Sequence, residues 1–266
     1  MQKNVATLYV FDLDGVITDP GNSQVNEAVI DKMFGMLASG TVIAINTGRS
    51  YDWVNKQLIA RLAARGHRDI LSRLLVVCEK GGETVTWNNS QACIQPSSFA
   101  LSPQAYEITK TVFERNKIRF KTMSWDTTKR TMATIEKRSA AQLADFHAEQ
   151  GILKGLLTKE LSGYDVRIDA TTVATDVEST AAGKYAGAEV IWERFDNNGL
   201  DTPTAVISIG DSISDYEMAR CFATKNIKST FVYVGEHPDD LVQDPAVDLV
   251  LTIQQFSAGT LEYLLQ

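Results

Sequence analysis

The stretch Tyr9-Val10-Phe11-Asp12-Leu13-Asp14-Gly15-Val16 joins a short apolar run to two acidic residues that stand one position apart. The β-branched and aromatic residues of the run predict a buried parallel strand, with Asp12 and Asp14 at its carboxyl end. Open α/β sheets bind ligands at that edge. Two carboxylates so close together repel each other unless a cation intervenes, so the pair indicates a metal site. The alternative is a strand end whose aspartates cap turns around Gly15.

The length and charge of the chain narrow the possible functions. The 266 residues can form one large domain or two modest ones with a substantial core. The formal net charge of −7 argues against nonspecific binding to nucleic acid or to an anionic membrane, because both require a basic surface. A small cationic cofactor is compatible with this charge.

The cysteines and the apolar segments predict a cytoplasmic protein. Cys78, Cys93 and Cys221 are odd in number and widely separated, which indicates neither a disulfide framework nor a zinc motif. Residues 1–7 are polar rather than signal-peptide-like, and no apolar run approaches the length of a membrane span. We therefore expect a reducing environment.

The first half of the chain alternates strands with helices. Apolar residues at four-residue spacing predict a helix over 25–37 that ends at Gly40, and the apolar run 41–45 predicts a second strand. That strand leads into Asn46-Thr47-Gly48-Arg49, whose hydroxyl and backbone amides suit a phosphate oxygen. A further helix over 51–66 and a strand over 74–78 complete a pattern that is typical of a parallel sheet.

A segment of different character follows Lys80-Gly81-Gly82. From about residue 83 to about residue 180, paired strands and helices predict an inserted α+β module. The expected elements are helices at 103–116 and 140–153, and strands at 118–125, 130–138 and 164–177.

The alternating pattern resumes at Gly183-Lys184. The expected elements are a helix closed by Gly199, strands at 205–209, 230–234 and 247–251, a helix through Met218 and Cys221, a short helix near Pro238 and a final helix at 254–265. The strand at 205–209 ends in Gly210-Asp211-Ser212-Ile213-Ser214-Asp215. Three strands thus end in polar sequences, and a parallel sheet brings these endings to one edge.

With these motifs in order, the sequence resembles the haloacid dehalogenase (HAD)-like hydrolase superfamily. Its four motifs are matched by Asp12-Leu13-Asp14-Gly15, by Thr47, by Lys184 and by Gly210-Asp211 with Asp215. The resemblance implies an α/β fold with a Rossmann-like parallel sheet core and an inserted α+β cap of the C2 type. This is the arrangement of the Cof-like, sucrose-phosphatase, trehalose-phosphatase and phosphomannomutase branches. It divides the chain into core residues 1–82, a cap at 83–180 and core residues 181–266.

The resemblance implies a role for each acidic residue. Asp12 would attack phosphorus and form an aspartyl phosphate, and Asp14 would act as the general acid and base. Mg²⁺ would be held by the Asp12 carboxylate, the backbone carbonyl of Asp14 and Asp211. Asp215 would support the metal or Lys184.

The remaining motif residues are candidates for binding the phosphoryl group. Thr47, Gly48, Arg49 and Lys184 would supply a hydroxyl, amides and positive charge. Taken alone, Thr47 could instead cap the helix that follows, Lys184 could be a solvated lysine at a helix start, and Arg49 could pair with a local carboxylate.

These expectations converge on a cytoplasmic Mg²⁺-dependent phosphatase, a monomer or homodimer that acts on a small phosphorylated metabolite. The expected metabolite is a sugar phosphate. The alternatives are a phosphomutase of the phosphomannomutase type and a non-catalytic binding protein with the same fold. The cap offers four cationic residues for anionic groups of the substrate: Lys129, Arg130, Lys137 and Arg167. Lys80-Gly81-Gly82 departs from the Asn-Gly pair that is common in the Cof-like branch, which argues against membership of that branch and against a substrate inferred from it.

Overall fold

The computed structural model describes residues 7–20, 24–88, 91–198, 202–237 and 242–266. The chain divides into two compact units. The first comprises Met1–Gln95 and Gly183–Gln266, and the second is Pro96–Ala182. The second unit is therefore inserted into the first.

A single eight-stranded sheet forms the centre of the first unit, in the order β12-β11-β10-β1-β2-β3-β4-β5. The six strands from β12 to β3 are parallel, and β4 pairs antiparallel with β3. The strands are β1 (Thr7–Phe11), β2 (Val42–Asn46), β3 (Leu74–Cys78), β4 (Glu83–Asn88), β5 (Gln91–Pro96), β10 (Ala205–Gly210), β11 (Lys228–Tyr233) and β12 (Val247–Leu251). The predicted α/β class with a parallel sheet is confirmed.

The helices of this unit pack apolar stripes against the sheet. They are α1 (Glu27–Ala38), α2 (Tyr51–Val54), a π-helical turn (Asn55–Ile59), α3 (Ala60–Ala64), α6 (Lys184–Asn198), α7 (Ile213–Thr224) and α8 (Phe256–Leu264). Helix α1 begins where the Asn26 side chain accepts a hydrogen bond from the Ala28 amide, and it buries Val29, Met33 and Leu37. Short 3₁₀ helices at Arg68–Arg73 and Glu79–Gly81 flank β3.

The boundary of the insert differs from the expected residue 83. Strand β4 pairs with β3 through Val76 and Val85, and β5 extends the same sheet. Val85 is buried in the core of the first unit. The segment 83–95 therefore belongs to the core, because its hydrogen bonds and apolar contacts complete the edge of the large sheet.

The second unit has its own sheet and its own apolar core. Its antiparallel strands have the order β6-β7-β9-β8, and two helices accompany them. The elements are α4 (Pro103–Arg115), β6 (Met123–Trp125), β7 (Ala133–Lys137), α5 (Leu143–Glu160), β8 (Val166–Ala170) and β9 (Ala174–Ser179). Phe113, Phe146, Leu153 and Val177 are fully buried in the core between these elements. This arrangement is the α+β module that the sequence predicts.

Two elements of the insert differ in length from the prediction. Strand β6 begins at Met123 rather than at residue 118, because residues 116–122 form turns and Ile118 is 90% exposed. Helix α5 continues to Glu160, beyond the expected end at residue 153, because Leu157 adds a further buried apolar side chain to the face that packs on the core.

Two predicted features near Gly199 and Pro238 lie outside the described residues. Among the residues that the structure describes, none of the helices is both long and apolar enough to cross a membrane.

Candidate active site

The ends of three neighbouring strands of the first unit bring the sequence motifs together. Strand β1 lies between β10 and β2, and Phe11 is in register with Ile209 on one side and with Ile45 on the other. The Asp12 amide donates to the Ile209 carbonyl at 3.1 Å. Asp12 therefore follows β1, and Thr47 and Asp211 follow the neighbouring strands β2 and β10 one residue further along, so the three residues share one edge of the sheet.

Lys184 lies at the start of α6 and pairs with two aspartates. Its Nζ atom is 2.6 Å from Asp12 Oδ1 and 2.7 Å from Asp215 Oδ1, and it also donates to the Asn46 carbonyl at 3.0 Å. The Lys184 side chain is 12% exposed, against 11% for Asp12 and 0% for Asp215. All three N–H donors of the ammonium therefore have protein acceptors, and Lys184 is not a solvated lysine.

Asp215 is fixed by the first turn of α7. Its Oδ2 atom accepts hydrogen bonds from the Ser212 hydroxyl at 2.7 Å, from the Ser212 amide at 3.1 Å and from the Asp211 amide at 3.2 Å. Ser212 and Asp215 thus form a capping box at the start of the helix. The box leaves Oδ1 of Asp215 directed at Lys184 and fixes the backbone that carries Asp211.

A cluster of three carboxylates fits a divalent cation. One oxygen from each of Asp12, Asp211 and Asp215 lies within 4.8 Å of the others. With only Lys184 to balance three carboxylates, two negative charges remain when all groups are ionised. Hard oxygen donors with this excess of charge suit Mg²⁺. Gly15 has φ +71°, and a methyl group at this position would overlap the Asp211 carboxylate, so the close approach of the two loops requires glycine.

Burial has a strong effect on the acidity of this cluster. It raises the pKa of Asp12 to about 8, an effect that Lys184 partly offsets and Asp215 reinforces. Burial also raises the pKa of Asp211 to about 7, with a further contribution from the Asp215 charge. Burial acts on Asp215 in the same direction, but the Lys184 charge and the hydrogen bonds to Asp215 outweigh it and lower its pKa.

The electrostatics of Lys184 follow from the same contacts. Burial opposes its charged form, but Asp12 and Asp215 raise the pKa of Lys184 above its ordinary value. Lys184 is therefore a fixed positive charge, whereas Asp12 and Asp211 bind protons tightly unless another cation is present.

Asp14 faces a different partner. Arg49 donates from Nε to Asp14 Oδ2 and from Nη2 to Asp14 Oδ1, both at 2.8 Å, and its guanidinium lies 5.0 Å from the centroid of the Trp53 ring. The side chains of Arg49 and Asp14 are 39% and 47% exposed. Arg49 thus pairs with a carboxylate, as the alternative to phosphoryl binding expects, although this partner is 35 positions away in the sequence. The Asp14 carboxylate lies outside the cluster of three.

Thr47 is fully buried directly after β2. Its hydroxyl oxygen accepts a hydrogen bond from the Arg49 amide at 3.1 Å, whereas the helix that follows is capped by Ser50, which accepts from the Trp53 amide. Thr47 therefore shapes the Thr47-Gly48-Arg49 loop and is not the helix cap.

Asn46 and Ser212 are contributors to this site that the sequence reasoning did not single out. The Asn46 side-chain amide donates to the Lys184 carbonyl at 2.8 Å, and the Lys184 ammonium donates to the Asn46 carbonyl. Each side chain thus bonds to the backbone of the other residue. Ser212 could have been found from its position three residues before Asp215, which is a capping-box spacing. Asn46 gives no comparable signal, because its partner is 138 positions away.

The cationic candidates of the second unit have local partners. Arg167 forms an ion pair with Glu178 and donates to the Ala182 carbonyl at 3.2 Å. Lys137 donates to the carbonyls of Arg138 and Ala141. Lys129 is half-buried with its Nζ 3.7 Å from Met132 Sδ, and Arg130 is exposed. Their predicted role in substrate binding stays a prediction.

Comparison with known proteins identifies the fold. No protein-family model and no curated protein matches the sequence. Solved structures do match. A haloacid dehalogenase-like hydrolase from Bacteroides thetaiotaomicron aligns with TM-score 0.65 and 13% identity over 97% of this chain and 98% of its own. The C-terminal domain of a C. albicans trehalose-6-phosphate phosphatase aligns with TM-score 0.63 and 15% identity over 98% and 91%. The Aspergillus fumigatus trehalose-6-phosphate phosphatase aligns with TM-score 0.55 and 18% identity over 98% and 92%.

The chain therefore has the HAD-like fold, with a large and mostly parallel sheet and an inserted α+β unit. The resemblance inferred from the four motifs is confirmed at the level of the fold. The identities of 13–18% carry nothing about activity, and the chemistry must be argued from the site.

Proposed function

We propose that the protein is a Mg²⁺-dependent phosphomonoesterase that acts on a small phosphorylated metabolite. The observation that carries this proposal is the convergence of Asp12, Asp211 and Asp215 with Lys184 at the carboxyl edge of the parallel sheet. Phosphoryl transfer requires an in-line nucleophile and positive charge around the equatorial oxygens. This cluster contains both a buried carboxylate and a place for a divalent cation.

Asp12 is the nucleophile in this proposal. A carboxylate oxygen of Asp12 attacks phosphorus, the bond from phosphorus to the leaving oxygen breaks, and an aspartyl phosphate forms. Lys184 holds Asp12 Oδ1 at 2.6 Å and thereby favours its ionised form and fixes its rotamer. Water then attacks the phosphoryl group of the intermediate, which releases inorganic phosphate and restores Asp12.

Asp14 moves the proton in both steps. It donates a proton to the leaving alkoxide and then takes one from the attacking water. In the structure both of its oxygens accept from Arg49, so this role requires the pair to separate. Because both side chains are partly exposed, separation costs about 1 kcal/mol or less.

The cation would be held by the carboxylates of Asp12 and Asp211, with the Asp14 carbonyl as the further ligand implied by the resemblance. Mg²⁺ supplies charge neutralisation of the phosphoryl oxygens when bound. Asp215 belongs to the same cluster, but its hydrogen bonds to Lys184 and Ser212 favour a positioning role.

We further propose that the substrate is a sugar phosphate. Two of the three aligned structures described above are trehalose-6-phosphate phosphatases, which act on a phosphorylated sugar. They align over more than nine-tenths of both chains, inserted unit included.

The test is phosphate release from a panel of sugar phosphates, nucleoside monophosphates and phosphoamino acids, each with Mg²⁺ and with EDTA. We expect Mg²⁺-dependent release from sugar phosphates, abolished by EDTA and restored by excess Mg²⁺. Release of no phosphate from any compound would overturn the proposal. Conversion of a hexose phosphate to an isomer without free phosphate would instead establish a phosphomutase.

A further inference from the structure

The turn after β3 contains two consecutive residues in the left-handed region of backbone space. Glu79 has φ 53°, and Lys80 has φ 56° and ψ 36°. Residues with a side chain pay a steric cost for this conformation, and such strain persists only where the surroundings hold it in place. The turn therefore has a structural or functional reason to keep a lysine where glycine or asparagine would fit better.

Backbone hydrogen bonds tie this turn to both loops of the candidate site. The Lys80 amide donates to the Thr47 carbonyl at 3.0 Å, and the Lys80 carbonyl accepts from the Gly183 amide at 2.7 Å. The Glu79 amide donates to the Arg49 carbonyl at 3.1 Å. Lys80 thus lies between the Thr47-Gly48-Arg49 loop and the residue that precedes Lys184.

The side chain of Lys80 runs along Gly48. Its Cγ and Cε atoms lie 3.6 and 3.8 Å from the position that a Cβ atom would take on Gly48. The ammonium group is one bond beyond Cε. Lys80 therefore places a positive charge beside the loop whose amides and hydroxyl suit a phosphate oxygen.

The other two cations of the site, Lys184 and Arg49, both have partners within the protein. The three donors of Lys184 are used on Asp12, Asp215 and the Asn46 carbonyl, and Arg49 grips both oxygens of Asp14. Lys184 can therefore reach the phosphoryl group only by giving up one of its three acceptors, and Arg49 can reach it only while its pair with Asp14 is separated. A further positive charge beside the Thr47-Gly48-Arg49 loop would add to the charge neutralisation that a dianionic phosphoryl group requires.

We propose that Lys80 is a phosphoryl-binding residue whose ammonium contacts the phosphoryl group beside the Thr47-Gly48-Arg49 loop. This inference rests on the function proposed above, because it needs that loop to bind the phosphoryl group. It also gives a reason for the strained turn, since the left-handed conformation of Lys80 places its stem along Gly48. The expected chemistry is a charge-assisted hydrogen bond to a phosphoryl oxygen.

The test compares Lys80→Gly, Lys80→Asn and Lys80→Arg with the unmodified protein. Gly and Asn tolerate the left-handed conformation, so neither should lower the melting temperature. We expect both to raise KM for p-nitrophenyl phosphate, and the inhibition constant of inorganic phosphate, by about tenfold, with a smaller change in kcat. Lys80→Arg should stay within about threefold because it retains the charge. Lys225→Asn, which removes a lysine paired with Glu189, is the matched control and should leave both constants unchanged.

Direct titration of the unmodified protein and Lys80→Gly with inorganic phosphate and Mg²⁺ makes this test independent of turnover. Weaker phosphate binding by Lys80→Gly supports the role of Lys80 even if no substrate is hydrolysed, in which case only the phosphatase proposal fails. Equal phosphate affinity of the two proteins overturns the role of Lys80. So does an arginine variant that loses as much affinity as the glycine variant.

Discussion

Replacing Lys184 with methionine would show how much the buried ion pairs contribute to stability. The ammonium is 2.6 Å from Asp12 and 2.7 Å from Asp215, with side-chain exposures of 12%, 11% and 0%. Removing one partner of a buried pair costs about 3–5 kcal/mol, because the remaining charges lose their compensation. Asp12 can take up a proton to limit this loss, so we expect about 3 kcal/mol. For a chain of this size, the melting temperature should fall by about 6–12 °C.

The assay is urea unfolding followed by tryptophan fluorescence in EDTA at about pH 9, above the pKa of about 8 of Asp12, so that Asp12 is ionised in the unmodified protein. EDTA is needed because a bound cation would mask the lost charge. The same substitution at Lys117 is the matched control. Lys117 pairs with Glu114 at 3.1 Å on the surface, where the side chains are 55% and 46% exposed, so Lys117→Met should cost about 0.5 kcal/mol or less.

A double variant separates charge from packing. Adding Asp12→Asn to Lys184→Met removes one of the two uncompensated carboxylates, so it should recover a large part of the lost stability. A cost of Lys184→Met no greater than that of Lys117→Met, or no recovery on adding Asp12→Asn, would refute a stabilising role of the buried ion pairs.

The acidity of Asp12 and Asp211, the contact of Gly15 with Asp211, and a glycine within helix α5 each give a further prediction. Because the pKa values of Asp12 and Asp211 are raised to about 8 and about 7, the unfolded chain loses these protons at lower pH than the folded protein. The melting temperature in EDTA should therefore fall as the pH rises from about 4 to about 8, and the gain on adding Mg²⁺ should grow over that interval, as thermal scans would show; a flat profile would contradict this. Gly15→Ala would push the added methyl into Asp211, so Mg²⁺-dependent phosphate release should drop at least about 100-fold, whereas Gly163→Ala, with open space around it, should be neutral. Gly155→Ala fills open space within helix α5, so urea unfolding should show a gain of about 0.5–1 kcal/mol, and a loss would contradict the helix assignment.

The position of the site could be predicted because it depends on local patterns. Short apolar runs that end in Asp12, Thr47 and Asp211 indicate buried strands, and parallel pairing brings their ends together without further information. The structure places these three residues at the ends of β1, β2 and β10 as expected. The chemical roles assigned to them stay predictions.

Other features depend on contacts that no local pattern records. The pairing of Arg49 with Asp14 joins residues 35 positions apart and depends on which of several carboxylates the guanidinium reaches. The sequence places the edge of the core at residue 83, whereas the first unit extends to Gln95. Alternating residues in β4 and β5 look the same whether these strands extend the large sheet or begin a new one. The left-handed conformation of Lys80 was equally hidden, since lysine is not a residue that predicts positive φ.

The most direct test of the account is to locate the phosphoryl group during turnover. Wild-type protein and the Asp12→Asn variant would each be mixed with Mg²⁺ and a compound that the wild type hydrolyses, and then quenched in acid. Peptide mass spectrometry would locate the phosphorylated peptide. If Asp12 is the nucleophile, the wild type will carry one phosphoryl group on the peptide that contains Asp12, and a folded Asp12→Asn variant will show neither phosphopeptide nor phosphate release. A phosphoryl group on another residue, or wild-type turnover by Asp12→Asn, would contradict this role of Asp12.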